Sequence, residues 1–180
     1  MCGIIGIIDY KKNSSKNLLQ KMTDTLHHRG PDDSGYKFFE EEKYQLGFGH
    51  RRLSIQDLST HGHQPMNYEN LSIIYNGEVY NFKEIREELK ALDYSFFSNS
   101  DTEVILKAFH QWGLKSIDRF RGMFTFSIYD KEKKKIYIVR DRAGVKPLYY
   151  YQKDGLFLYA SELKAFYPHS KFQKNSMHAY

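Results

Sequence analysis

The hydrophobic positions of this chain follow two periods, one near two residues and one near 3.6. Residues 3–8, GIIGII, form an unbroken apolar run that predicts a buried strand. Behind it Asn13, Ser14 and Ser15 can cap a helix, and Leu18, Leu19, Met22 and Leu26 recur at helical spacing. Residues 36–39 and 44–49 read as two strands joined through Glu40, Glu41 and Glu42, and residues 54–67, rich in His, Gly and Pro, read as a loop. Residues 71–75 predict another buried strand, ending at Asn76-Gly77. Residues 82–92 place Ile85, Leu89 and Leu92 on one face with charges elsewhere, and predict a helix. A further helix starts at Ser100-Asp101, with Val104, Ile105, Ala108, Phe109 and Trp112 turned inward. Residues 124–130, 135–140, 149–151 and 156–160 read as four successive strands, and residues 162–166 as a short helix.

Hairpins with helices inserted between them predict one α+β domain, in which helices cover two stacked antiparallel sheets. A length of 180 residues suits one domain with a sizeable core. A composition 41% hydrophobic and 27% charged is that of a soluble globular protein. Fifteen Tyr and thirteen Phe agree with a strand-rich fold. No apolar run approaches the roughly 18 residues that span a bilayer, and no basic segment precedes residues 3–8 as in a secretory signal. One cysteine cannot form an internal disulfide, so a reducing, cytoplasmic setting is expected. The net charge of +5 raises nucleic-acid binding, but the densest basic run, Lys131-Glu132-Lys133-Lys134-Lys135, reads as a solvated hairpin loop. The chain has no Gly-rich phosphate loop, and its eight His never cluster with the cysteine at metal-ligand spacing. Neither a nucleic acid, a membrane nor a metal is expected as a partner.

The lone cysteine, Cys2, directly follows the initiator methionine. Aminopeptidases remove Met when the next side chain is small. Cys2 would then carry both a thiol and a free α-amine, whose pKa near 7.7–8.0 leaves it partly neutral and able to accept the thiol proton. Thiolate is the reactive form, and a nearby cation favours it. Taken alone, a cysteine in this place can equally be incidental. An acyl-transfer site also needs donors for an oxyanion. The Asn76 amide and the Gly77 N–H can supply them from a strand end; the competing reading is a type I′ hairpin turn, which the helix-forming residues that follow weaken. Arg52 can hold a carboxylate bidentately. Asp101 can bind an ammonium or simply cap a helix, and Glu78 can face an ammonium or water.

The chain resembles the N-terminal glutaminase domain of class II glutamine amidotransferases, above all the asparagine-synthetase branch. The stretches that carry the resemblance run in family order: Met1-Cys2-Gly3-Ile4-Ile5-Gly6, His28-Arg29-Gly30-Pro31-Asp32, Arg52-Leu53-Ser54-Ile55, Tyr75-Asn76-Gly77-Glu78-Val79-Tyr80-Asn81 and Ser100-Asp101-Thr102-Glu103. They continue with Arg121-Gly122-Met123-Phe124, the stretch from Arg140 through Gly144, Lys146 and Pro147 to Tyr150, and Ala160-Ser161-Glu162-Leu163-Lys164-Ala165. The resemblance covers residues 1 to about 167, and it implies an N-terminal-nucleophile hydrolase fold, a four-layer αββα sandwich. It implies hydrolysis of L-glutamine to glutamate and ammonia, with Cys2 as nucleophile and Asn76 and Gly77 as the oxyanion hole. Arg52 would bind the α-carboxylate, Glu78 and Asp101 the α-ammonium, and backbone groups near Leu53 and Ile55 would position the substrate. The loop after Ser54 is a candidate lid, and Arg29 and Asp32 are expected to brace the site.

In the family an ATP-dependent synthetase domain follows, with ATP and Mg bound through a Ser-Gly-Gly-x-Asp-Ser loop. This chain has no such loop, so no cofactor is expected in it, and ATP and Mg would belong to the absent domain. Residues 2–167 are expected to form the glutaminase domain and residues 168–180 a truncated connector. An apolar face left for the synthetase domain would include Phe166, Tyr167 and Phe172. The alternative to a working glutaminase is a catalytically silent remnant, or a binding module of an asparagine synthetase-like complex.

Overall fold

The computed structural model describes residues 1–54 and 59–174. Strand β1, Gly3–Asp9, is followed by helix α1, Lys16–Asp24, whose N-cap Ser15 accepts the Leu18 N–H. Strands β2 (Asp33–Glu40) and β3 (Gln45–Arg52) come next, then β4 (Met66–Tyr68) and β5 (Leu71–Val79). Helices α2 (Phe82–Lys90) and α3 (Asp101–Trp112) lead into β6 (Gly122–Asp130), β7 (Lys135–Arg140), β8 (Tyr149–Lys153) and β9 (Leu156–Ala160). Two antiparallel sheets result, in the orders β2-β3-β1-β9-β8 and β4-β5-β6-β7.

Strand parity assigns each apolar residue to one of three layers. Ile4 joins Leu46, Phe48, Ile74, Tyr129 and Tyr159 between the sheets, while Ile5 and Ile7 face Leu19, Met22 and Leu26 of the α1 segment. On the other side, Ile73 and Tyr75 of β5 pack with Val104, Ile105 and Ala108 of α3. The order is therefore helix, sheet, sheet, helices, the expected αββα sandwich. Each large apolar side chain fully removed from water contributes about 1.5–3 kcal/mol. Breaking the parity of β1 would thus cost several such contributions at once.

The alternation also positions polar groups. One step past Ile4 on the same side is Cys2, and one step past Ile74 is Asn76. Both strands deliver these residues to one end of the layer between the sheets.

Some expectations need correction. Strand β5 does not end at Asn76-Gly77: it continues to Val79, with Gly77 opposite Phe124 of β6, so the hairpin-turn reading fails. A Cβ on Gly77 would lie 2.4 Å from the Met123 carbonyl oxygen and 2.6 Å from the Phe124 Cα, so the close strand approach requires glycine. The segment read as loop contains a 3-10 turn at Thr60–Gly62 and the edge strand β4, which the His, Gly and Pro content concealed. The helix expected at residues 162–166 is a 3-10 turn, Leu163–Phe166. Leu92 lies past the end of α2 and is 47% exposed, and Trp112 is half-buried at the end of α3. Phe166 is not on an apolar outer face: it is fully buried in the cluster beneath α1, with Phe172 packed on it and only Tyr167 half-exposed. Among the described residues no helix is long and apolar enough to cross a membrane.

Candidate active site

Antiparallel pairing of β1 with β3 sets Gly3 opposite Arg51, and so brings Cys2 to the residues that follow β3. The Leu53 N–H points at the Cys2 Sγ across 3.4 Å, and the thiol lies 3.7 Å from the Leu53 carbonyl. The backbone of Cys2 is held as well. Its carbonyl accepts Arg29 Nε at 2.9 Å, and Arg29 Nη1 pairs with Glu162 at 2.9 Å. Next door, Ile4 N donates to Ser161 Oγ and Ser161 N to the Ile4 carbonyl, each at 3.0 Å. Burial pushes the Cys2 thiol up from its ordinary range; the Leu53 N–H, the chain's terminal ammonium and Arg52 oppose that, while Asp101 adds to it.

Cys2, Arg52, Leu53, Asn76, Gly77, Glu78 and Asp101 line one cavity of about 200 Å³. That is below the roughly 300–1,000 Å³ of drug-sized ligand sites and suits a small metabolite. Asn76 is 1% exposed, and its Nδ2 has no hydrogen-bond partner among the described residues. A buried amide donor left open costs about 1–3 kcal/mol, and such groups mark places where a ligand completes the bonding.

The strand that carries Asn76 is pinned at the preceding residue. Tyr75 N donates to Gln64 Oε1 at 2.7 Å, and Gln64 Nε2 reaches Thr102 Oγ1 at 3.2 Å. The His50 Nε2–H donates to the Tyr75 carbonyl at 3.0 Å, which fixes the ring tautomer. Full burial drives His50 down to about 3, so the ring is neutral.

Asp101 is not the helix cap. Ser100 fills that place, accepting the Glu103 N–H, and Asp101 turns into the cavity as the first residue of α3. Its Oδ2 accepts the Tyr75 hydroxyl at 2.6 Å and the Val79 N–H at 3.0 Å. Burial raises the Asp101 carboxyl above its ordinary range, against those two bonds. Buried Arg52 donates through Nη1 to the Ser59 carbonyl at 2.8 Å. A Cβ on Gly62 would stand 2.0 Å from Arg52 Nη2, so the guanidinium is laid flat against that turn. Asp32 Oδ2 accepts the Ser54 N–H at 2.8 Å, and Asp32 N donates to the Arg52 carbonyl at 3.1 Å. Asp32 thus holds the segment beside Cys2, and Arg29 holds Cys2 itself. Neither lines the cavity. Ile55 lies outside the described residues.

Sequence reasoning missed several neighbours. Gln64, Tyr75, Thr102, Met123 and Lys146 line the same cavity. Their sequence signal is weak, since a hydrogen-bonded Gln or a Tyr in an apolar strand reads as ordinary framework. Lys146 has the clearest one, a lysine set between Val145 and Pro147 in an otherwise apolar run.

Two antiparallel sheets stacked between helical layers are the αββα sandwich of the N-terminal-nucleophile hydrolase fold. The chain belongs to the glutamine amidotransferase domain family, whose model matches residues 1–179. Asparagine synthetase [glutamine-hydrolyzing] 3 of Bacillus subtilis is 40% identical over an alignment 175 positions long, which covers 94% of this chain and 28% of that protein. Amidase chry2 of Gibberella zeae is 35% identical over an alignment 179 positions long, which covers 92% of this chain and 26% of the relative. The chain thus spans less than a third of the length of these relatives. The glutamine phosphoribosylpyrophosphate amidotransferase of Bacillus subtilis shares the fold with a TM-score of 0.77 at 20% identity, over 92% of this chain and 43% of that one.

Proposed function

We propose that this chain, once Met1 is removed, hydrolyses L-glutamine to glutamate and ammonia at Cys2. The observation that carries the reading is the convergence on one cavity of the thiol, the open Asn76 Nδ2, the Arg52 guanidinium and the Asp101 carboxylate. A free amino acid presents a carboxylate, an ammonium and a side-chain amide, and each meets a complementary group there.

Glutamine binds with its α-carboxylate on Arg52 and its α-ammonium on Asp101 and Glu78. Backbone groups of Leu53 and Ile55 align the side chain. The Cys2 α-amine takes the thiol proton, and sulfur attacks the amide carbon. The amide oxygen becomes an oxyanion received by Asn76 Nδ2 and the Gly77 N–H. The amine returns the proton to the leaving nitrogen, ammonia departs, and a thioester remains. Water then gives a proton to the amine and adds to the thioester carbon. The tetrahedral adduct collapses to glutamate, and the thiol regains its proton. Met1 borders the same cavity, so its removal frees the amine and widens the entrance. Arg29 and Asp32 keep sulfur and the Leu53 backbone in register.

Residues 2–167 form the catalytic unit, and residues 168–180, whose first part packs on that unit through His169 and Phe172, begin a connector. The ammonia passes, in the cytoplasm, to a synthetase unit, a reading that the longer relatives named asparagine synthetase support; ATP and Mg would belong to that unit and not to this chain. The test is ammonia release from L-glutamine by the Met1-free chain. Cys2→Ala is expected to abolish it, and release that survives this substitution would remove Cys2 from the reaction.

A further inference from the structure

Lys146 is a charged side chain inside the cavity to which the reaction above gives no task. It is 4% exposed and borders the same space as Cys2, Asn76 and Asp101. Its backbone is fixed on both sides. Lys146 N donates to Asp141 Oδ2 at 3.0 Å, and its carbonyl accepts Arg140 Nε at 2.7 Å and Thr125 Oγ1 at 3.4 Å. Asp141 is tied down in turn by the N–H groups of Val145 and Phe124 and by its own bond to the Phe124 carbonyl. The segment between β7 and β8 is therefore a rigid mount for one ammonium group.

That ammonium is aimed at the start of the chain, with Nζ 3.1 Å from Met1 Sδ. A thioether is a weak acceptor, and this one leaves with Met1. Lys107, the other strongly buried lysine, shows what a framework role looks like: its Nζ is held by Glu103 Oε1 at 2.6 Å and by the Ser95 carbonyl. Lys146 instead meets a group that processing takes away. Met1 Sδ is joined to the Cys2 nitrogen through the Met1 side chain and carbonyl, and Met1, Cys2 and Lys146 border one space, so loss of Met1 leaves Nζ and the new α-amine facing the same cavity.

We propose that Lys146 is a positioning residue whose ammonium, after Met1 is removed, stands beside the Cys2 α-amine and holds it neutral at cellular pH. This rests on the glutaminase reading above, because only a neutral amine can take the thiol proton. An ordinary α-amine, with a pKa near 7.7–8.0, is mostly protonated at neutral pH, and a second cation nearby disfavours the protonated form. The charges facing Cys2 come from several elements. Arg52 at the end of β3 acts in the same direction as Lys146, whereas Arg29, bonded to the Cys2 carbonyl, is paired with the Glu162 carboxylate that offsets its charge. Asp101 at the start of α3 and Glu78 of β5 act against it. Lys146 offsets these two carboxylates, which glutamine binding requires.

Cys2 is the sole cysteine, so cysteine labelled with carbon-13 marks one residue, whose Cα signal follows the amine titration in the Met1-free chain. Lys146→Met is expected to raise the amine midpoint by about one pH unit, the Coulomb scale for one cation several ångströms away in a partly screened site. Lys146→Arg should leave the midpoint near that of the unaltered chain. In glutamine hydrolysis the ascending limb of kcat/KM against pH should move up with the midpoint. An unmoved midpoint in the folded Lys146→Met chain overturns the proposal, and Lys146→Gln gives the same reading if the methionine variant does not fold. A raised KM with an unmoved pH profile also overturns it and makes Lys146 a glutamine contact. Should the chain release no ammonia at all, the Cα titration still reads the effect of the lysine, and the failure falls on the glutaminase reading alone.

Discussion

Asn76 and Asp101 are both held in states that a purely structural core would avoid. The Asn76 amide is buried with a donor left open, and the Asp101 carboxylate is buried near a second carboxylate, Glu78. These states have measurable consequences. Asn76→Ala should lower kcat by about 10²–10³-fold with KM little changed, the usual scale for one oxyanion donor; steady-state kinetics check this. Arg52→Ala should mainly raise KM, because the contact proposed for it, to the α-carboxylate, would be the same in ground and transition states. Asp101 offers a stability test with a defined sign. Its carboxyl titrates above the ordinary value near 3.8 in the folded chain, mainly through burial. Folding therefore favours the protonated form, and the stability this group contributes is full below pH 3.8 and is lost as pH rises through the folded value. Asp101→Asn should raise Tm at neutral pH, lose that advantage in strong acid, and raise KM for glutamine.

Strand β5 is the element on which the site depends. It turns Tyr75 toward α3 and Asn76 into the space between the sheets, and it lets β6 approach at Gly77. Gly77→Ala would force β5 and β6 apart, since the added methyl meets backbone rather than a side chain that can move. Thermal denaturation should show a loss of about 1–3 kcal/mol, the cost of overpacking, and kcat should fall with it. Much of this frame was legible in the sequence. The GIIGII run gave β1 within one residue, the helical stripe is borne out at Leu19 and Met22 of α1 with Leu26 buried two residues past its end, and the four late strands lie where the apolar runs put them. What was not legible has physical causes. The continuation of β5 past Asn76-Gly77 is set by pairing with β6, a contact between residues far apart in sequence. The strand β4 is three residues long and takes its form from β5. Asp101 and Ser100 are both able caps, and contacts with β5, to the Tyr75 hydroxyl and the Val79 N–H, turn Asp101 inward while Ser100 caps the helix.

For the molecule as a whole, the sheets are joined by apolar packing and by side-chain hydrogen bonds, among them Tyr159 of β9 to Ser127 of β6 and His50 of β3 to the carbonyl of Tyr75 in β5, next to Asn76. His50 is held neutral, with its folded value depressed from 6.5 to about 3 by burial. Protons then bind the unfolded chain more readily than the folded one. The stability contributed by His50 is full above pH 6.5 and is lost as pH falls toward 3. Tm should decline across that window. His50→Gln, which can still donate to the Tyr75 carbonyl, should flatten the decline while keeping glutamine turnover. The sequence showed His50 only as one of eight histidines; its burial between two sheets is a property of the assembled fold.

At this scale the proposed activity of the chain is release of ammonia at Cys2. The most direct test of the account is glutaminase activity of the processed chain, with intact mass confirming loss of Met1 and Cys2→Ala as control. The account predicts equimolar glutamate and ammonia from L-glutamine, none from the control, and none from chain that retains Met1. Turnover by the Met1-bearing chain at the same rate would contradict the role of the α-amine, and no turnover by a folded, processed chain would contradict the glutaminase reading itself.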